Sequence, residues 1–132
     1  MSQKLVRDVM HRGVITCWPE ESLIDVARRL REYSIDAIFV LDESGRAAGV
    51  VSQTDLARAF VQPDWQHLTA EKIMEPDVVT VTGDLRLDVA VQIMLDRRIH
   101  QLLIVQGGRT PNRPVGVLSF HDIVEEMSRF GQ

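Results

Sequence analysis

The chain repeats itself, and that repeat limits the architectures open to it. Val9-Met10 and Val14-Ile15-Thr16 recur as Ile73-Met74 and Val78-Val79-Thr80, an offset of 64 residues. The same offset carries Leu23 onto Leu87, Val26 onto Ala90, Leu30 onto Met94 and Ile35 onto Ile99. It continues through Ile38-Phe39-Val40 onto Leu102-Leu103-Ile104. Beyond that apolar run the offset becomes 67, so that Gly49-Val50-Val51-Ser52-Gln53-Thr54-Asp55 lies over Gly116-Val117-Leu118-Ser119-Phe120-His121-Asp122. The three extra residues fall between Gly107 and Pro114, where Gly and Pro mark a turn and an insertion is tolerated. Each half has roughly 60 residues and by itself buries little apolar surface. The tandem is therefore the expected folding unit.

Both halves read as strand, helix, strand, strand, helix, an α/β (α+β) pattern. The first repeat is expected over residues 1–62, a linker over 63–70 with Pro63 and Trp65, and the second repeat over 71–132. Val14-Ile15-Thr16 and Val78 to Val81 open the halves as short strands. Ser22 is a plausible N-cap with Asp25 three residues on, and Leu23, Val26, Ala27 and Leu30 then follow at helical spacing. In the second half Asp84 is the candidate cap, before Leu87, Ala90, Val91 and Met94. Ala37 to Leu41 is a continuous apolar run, expected of a strand covered on both faces. Asp42 to Arg46 turns the chain, Ala48 to Val51 returns, and the last helix of each half begins near Asp55 or Asp122.

Composition narrows the function classes. Hydrophobic residues make up 45% of the chain and aromatic ones only 5%, so aliphatic side chains must build the core. A net charge of −4 disfavours a phosphate backbone as partner, and no basic stripe with interleaved aromatics is visible, so nucleic acid is not expected. No apolar stretch approaches a membrane span or a signal peptide, and a cytoplasmic location is the expectation. The single cysteine, Cys17, reads as a small core residue beside Trp18. Arg28, Arg29 and Arg31 read as the solvated face of the first helix, and His11 and His67 as surface or linker residues. Nucleophile elbows, phosphate loops of the Walker type and zinc signatures are absent from the sequence, so catalysis is not expected.

The segment that carries chemistry is Gly-x-x-Ser-x-x-Asp, present twice, where a strand runs into a helix. A helix N-terminus offers unpaired N–H groups and partial positive charge, which suits phosphate. A carboxylate there can accept from both hydroxyls of a ribose, and the serine hydroxyl can donate to a phosphate oxygen. The alternative is plain capping of the helices by Ser52 or Thr54 and by Ser119 or His121. Duplication copies caps as readily as sites, so both readings stand.

The Met10-to-Asp55 and Met74-to-Asp122 patterns, each ending in Gly-x-x-Ser-x-x-Asp after a hairpin, resemble the cystathionine-β-synthase (CBS) domain. They cover nearly the whole chain and are similar to free-standing two-motif proteins of bacteria and archaea. The resemblance implies a regulatory module with two clefts for an adenosine-containing ligand, AMP, ADP, ATP or S-adenosylmethionine, and no other cofactor. It implies an energy-sensing role, a homodimer through the helices, with Ile123, Met127 and Phe130 offered for contact, and a regulated partner whose identity the sequence does not give. In the alternative, the chain is an interaction module with vestigial clefts.

Carried over residue by residue, the resemblance makes Asp55 and Asp122 the ribose ligands. Ser52 with Thr54, and Ser119 with His121, take the phosphate-contacting positions. Thr16 and Ile15 are assigned to the Asp122 site, and Thr80 and Val79 to the Asp55 site. Many family members place a basic pair before the hairpin. Here those positions hold His100-Gln101 and Asp36-Ala37. The histidines suit a phosphate and Asp36 opposes one, so the Asp122 site is the expected nucleotide site. His100 and His121 lack a third ligand for a metal.

Overall fold

The computed structural model describes residues 3–108 and 113–131. Arg109 to Asn112, the centre of the expected insertion, lie outside the described residues. The elements in chain order are α1 (Val6–Val9), β1 (His11–Arg12), β2 (Thr16–Cys17), α2 (Leu23–Glu32), β3 (Ala37–Leu41), β4 (Ala47–Ser52) and α3 (Gln53–Phe60). A single 3-10 turn, Trp65–His67, occupies the linker. Then follow α4 (Ala70–Ile73), β5 (Thr80–Thr82), α5 (Leu87–Arg97), β6 (Gln101–Gln106), β7 (Arg113–Ser119) and α6 (Phe120–Ser128).

The chain forms two units, and their boundaries are not those of the sequence repeats. One unit joins Met1–Val14 to Val79–Gln132, and the other is Ile15–Val78. Backbone hydrogen bonds show why. Val6 N donates to Leu85 O, Arg7 N to Gly83 O and Leu87 N to Lys4 O, which stitches the N-terminal segment to the approach of α5. In the other unit Ala70 N donates to Glu21 O, Glu71 N to Pro19 O and Leu23 N to Leu68 O. These are the same bonds shifted by one repeat. The segment that opens each repeat thus docks on the other repeat.

The sheets follow the same symmetry. In Ile15–Val78 the strand order is β2-β3-β4, with β2 parallel to β3 and β3 antiparallel to β4. In the other unit it is β1-β7-β6-β5, with β5 parallel to β6 and β1 antiparallel to β7. Thr16 lies opposite Phe39, and Thr80 opposite Leu103. A register irregularity recurs after Val40 and after Ile104. In place of β1, the smaller sheet is flanked by an isolated bridge between Val50 and Glu75.

Burial confirms the central strands. Ile38, Phe39 and Val40, and Leu102 through Val105, are all buried, so both faces of β3 and β6 are covered. One core joins Val26, Leu30, Ile38, Val40 and Val51, and the other joins Val6, Ala90, Met94, Leu102, Ile104 and Leu118. Cys17 belongs to the first core, and burial with the nearby Glu21 charge pushes its thiol up to about 11, far from a reactive thiolate. Asp42 Oδ1 accepts from Ser44 N, Ser44 Oγ and Arg46 N, which fixes the expected turn and holds its carboxyl below the usual range.

Some local expectations differ. Ser22 caps α2 by accepting from Asp25 N, but only in that one direction. Asp84 does not cap α5: the N-cap is Arg86, and Asp84 accepts from the Thr82 hydroxyl instead. Ala27 is exposed, while Arg29 is half-buried rather than solvated. Ile123 is half-buried against the core, and the exposed apolar residues of α6 and the turn after it are Val124, Met127 and Phe130.

The ends of α2 and α5 share one unfavourable feature. Ser34 and Arg98 occupy equivalent positions with φ of 53° and 56°, in the left-handed region. Helices commonly stop this way, but with glycine. Arg98→Gly is expected to raise stability by about 0.5–1 kcal/mol, read as a higher Tm.

Candidate functional site

Each Gly-x-x-Ser-x-x-Asp segment folds into a reciprocal box at a helix start. Ser52 is the N-cap of α3 and Ser119 the N-cap of α6. Ser119 N and Ser119 Oγ donate to Asp122 Oδ2 at 2.8 and 3.1 Å, and Asp122 N reaches Ser119 Oγ at 3.4 Å. In the other unit the matching distances are 2.9, 2.9 and 3.2 Å for Ser52 and Asp55. The capping alternative therefore describes both serines. It also occupies their protons: each hydroxyl has one, and it points to its own aspartate rather than outward to a phosphate.

The residue before each hairpin completes the helix start. Gln53 N donates to Asp36 O, and Phe120 N to His100 O. A helix leaves its first N–H groups without helical partners. Here the first goes to that carbonyl and the third to the serine. Each helix start thus sets its capping serine next to a buried carboxylate.

The structure brings Asp36, Ala37, Ser52, Thr54 and Asp55 to one sheet end, with Ala37 opposite Ser52. It brings His100, Gln101, Ser119, His121 and Asp122 together likewise, with Gln101 opposite Ser119. The His100 ring lies 5.5 Å from that of Phe120, and His121 Nε2 is 3.8 Å from Glu125 Oε2. Ile15 and Thr16 belong to the unit of Asp55, and Val79 and Thr80 to the unit of Asp122. The Thr16 carbonyl accepts from Arg29 Nη1 at 2.7 Å, while Arg29 Nη2 donates to Glu21 Oε1 at 2.8 Å. Arg29 therefore anchors β2.

The two carboxylates are buried, Asp55 at 6% and Asp122 at 3% exposure, and their second oxygens differ. Asp55 Oδ1 has the exposed Arg58 Nη1 at 3.9 Å. Asp122 Oδ1 has His11 Nδ1 at 2.5 Å, yet no donor is aligned with it as a hydrogen bond. His11 is exposed, as expected of a surface residue, but its contact with Asp122 is what sequence reasoning missed at this candidate site. Its position in the repeat is matched by Glu75, since His11 pairs with Val117 and Glu75 with Val50. Aligning the repeats finds that correspondence. Placing it against Asp122 requires the β1–β7 pairing.

The family model described as the CBS domain matches residues 6–62 and 70–129. The chain belongs to the CBS-domain family. Among curated relatives, it is 30% identical over 124 residues to the uncharacterized protein MK0525 of Methanopyrus kandleri, covering 91% of this chain and 61% of that protein. It is 31% identical to arabinose 5-phosphate isomerase KdsD of Pseudomonas aeruginosa, over 90% of this chain and 36% of that enzyme. The chain thus spans less than two thirds of these relatives. The CBS domain-containing protein YhcV of Bacillus subtilis is 27% identical, with 93% and 86% covered. Among solved structures, the CBS domain pair of protein MJ0100, in complex with 5'-methylthioadenosine and S-adenosyl-L-methionine, superposes with a TM-score of 0.86. It is 26% identical and covers 96% of this chain and 98% of its own. The mixed α/β architecture with its two sheets is that of a CBS pair. No helix among the described residues is long and apolar enough to cross a membrane.

Proposed function

We propose that this chain is a regulatory module that binds an adenosine-containing ligand at its Ser-x-x-Asp helix starts, preferentially the one built on Asp122. The observation that carries this is the Asp122 carboxylate: nearly fully buried, one oxygen fixed by its capping box, the other without an aligned donor. A buried acceptor left unsatisfied is costly, and a ribose hydroxyl supplies the missing donor. The MJ0100 pair, carrying adenosine-derived ligands on the same fold, supports that ligand class.

The preference for Asp122 is electrostatic. His11, His100 and His121 surround that helix start, whereas Asp36 and Glu75 hold the first two positions around Asp55. An added phosphate meets imidazoles at the first, with Glu125 beside His121, and carboxylates at the second, offset there by the exposed Arg58. Regulation requires that the ligand prefer one arrangement of the protein over another. Exposed Val124, Met127 and Phe130 are offered as the apolar contact of a homodimer, through which such a preference reaches a partner.

The test is calorimetric titration with AMP, ADP, ATP, S-adenosylmethionine, 5'-methylthioadenosine and adenosine. Asp122→Ala is expected to abolish saturable binding and Asp55→Ala to retain most of it. Asp122→Asn keeps an acceptor for the cap and separates lost binding from lost folding. Absence of heat from nucleotide-free wild type with every ligand would instead favour an interaction module with vestigial sites.

A further inference from the structure

Within the unit that holds α6, the His11 side chain reaches Asp122 from β1, two residues of edge strand paired to β7. Asp122 Oδ1 is shut off from solvent, although the His11 side chain that lies against it is 66% exposed. The imidazole therefore covers the oxygen at ion-pair distance, although Nδ1 is not aligned as a hydrogen bond. An exposed ring at a strand edge changes rotamer on a fast timescale. Its backbone, held by the β1–β7 bonds and by the close approach to Gly116, need not move. At Asp55 the matching residue is Glu75, whose carboxylate makes no ion pair among the described residues, and the side chain near Oδ1 is the exposed Arg58 at 3.9 Å.

We propose that His11 is a specificity-determining residue of the Asp122 site, a built-in competitor that a ligand hydroxyl must displace from Asp122 Oδ1. This rests on the reading of Asp122 as a ribose ligand and adds to it. The two repeats, alike in their Ser-x-x-Asp boxes, are made unequal by the residue that opens β1. Only a group donating an aligned hydrogen bond to Oδ1 gains enough to expel the ring. Ligands with a free ribose diol are accepted over 2'- or 3'-deoxy analogues, and part of the diol's advantage is offset by the displacement of the ring.

The decisive experiment uses uncharged probes, adenosine and 5'-methylthioadenosine, so that the charge of His11 does not act on a phosphate. Each is titrated by calorimetry into wild type, His11→Ala, His11→Asn and Glu75→Ala, with ring resonances of His11 followed by NMR. His11→Ala is expected to tighten binding roughly five- to tenfold. His11→Asn, whose amide nitrogen sits near the place of Nδ1, is expected to return toward wild type. Glu75→Ala leaves the affinity unchanged, and the His11 ring signals shift on saturation of wild type. Binding detected only in His11→Ala also supports the competition. Equal or weaker binding by His11→Ala, in a protein whose wild type binds, overturns this inference and leaves the proposed function standing. Absence of binding by both wild type and His11→Ala overturns the ribose-site reading, and the inference with it.

Discussion

Gly116→Ala is expected to lower Tm by roughly 5–12 °C, although it adds one methyl group to a strand. A Cβ built at Gly116 lies 2.5 Å from the His11 carbonyl oxygen and 3.0 Å from Met10 Sδ. The first is backbone and cannot rotate away, so β1 must shift off β7. At the matching position, a Cβ on Gly49 meets Met74 Sδ at 2.5 Å, Met74 Cγ at 2.7 Å and the Glu75 carbonyl oxygen at 2.9 Å. Methionine is flexible and its thioether can move aside. Gly49→Ala is accordingly expected to cost less than Gly116→Ala. Parallel thermal melts check the order, and equal losses would mean that the backbone contact at β1 is not what limits Gly116. The same shift displaces His11 from Asp122, so this glycine links the edge of the sheet to the candidate site.

Leu102→Ala is expected to cost about 2–5 kcal/mol, the transfer of a leucine side chain plus the cavity it leaves. Leu102 has no exposed surface, faces the core of Val6, Ala90, Met94, Ile104 and Leu118, and pairs with Leu118 across β6 and β7. For a domain whose net stability is on the order of 5–15 kcal/mol, this removes a large part. Leu95→Ala on α5 provides the contrast, because Leu95 is 56% exposed. Its loss is expected to stay below about 1 kcal/mol. Urea titrations of both variants measure the difference, and a Leu102→Ala midpoint close to wild type would contradict the burial of β6.

Much of this was legible in advance. The runs Ile38-Phe39-Val40 and Leu102-Leu103-Ile104 announced strands covered on both faces because such strands need no alternation. Ser52 and Ser119 were named as possible caps from a short-range pattern, and they are the caps. Asp84 misled because a cap is the residue immediately before the first helical turn: Gly83 and Asp84 make a turn of their own, and the helix starts only after an extended Arg86. Arg29 misled for a different reason. Its neighbours Arg28 and Arg31 are solvated, but the carbonyl of Thr16 and the carboxylate of Glu21 draw Arg29 inward.

The duplication, the strand-helix-strand-strand-helix order from β2 to α3 and from β5 to α6, the aliphatic cores and the two Ser-x-x-Asp helix starts follow from the sequence, whereas the short α1, β1 and α4 do not. The former rest on periodicity and on spacings of a few residues, which any local reading recovers. Tertiary packing sets what local patterns do not: the segment opening each repeat docks on the other repeat, and the unit boundaries fall after Val14 and Val78. It alone placed His11 against Asp122, more than a hundred residues away in the chain. The physical reason is that a two-residue strand such as β1 carries too little pattern to specify its partner. Its pairing is set by the edge that β7 leaves open and by the glycine that lets the backbones meet.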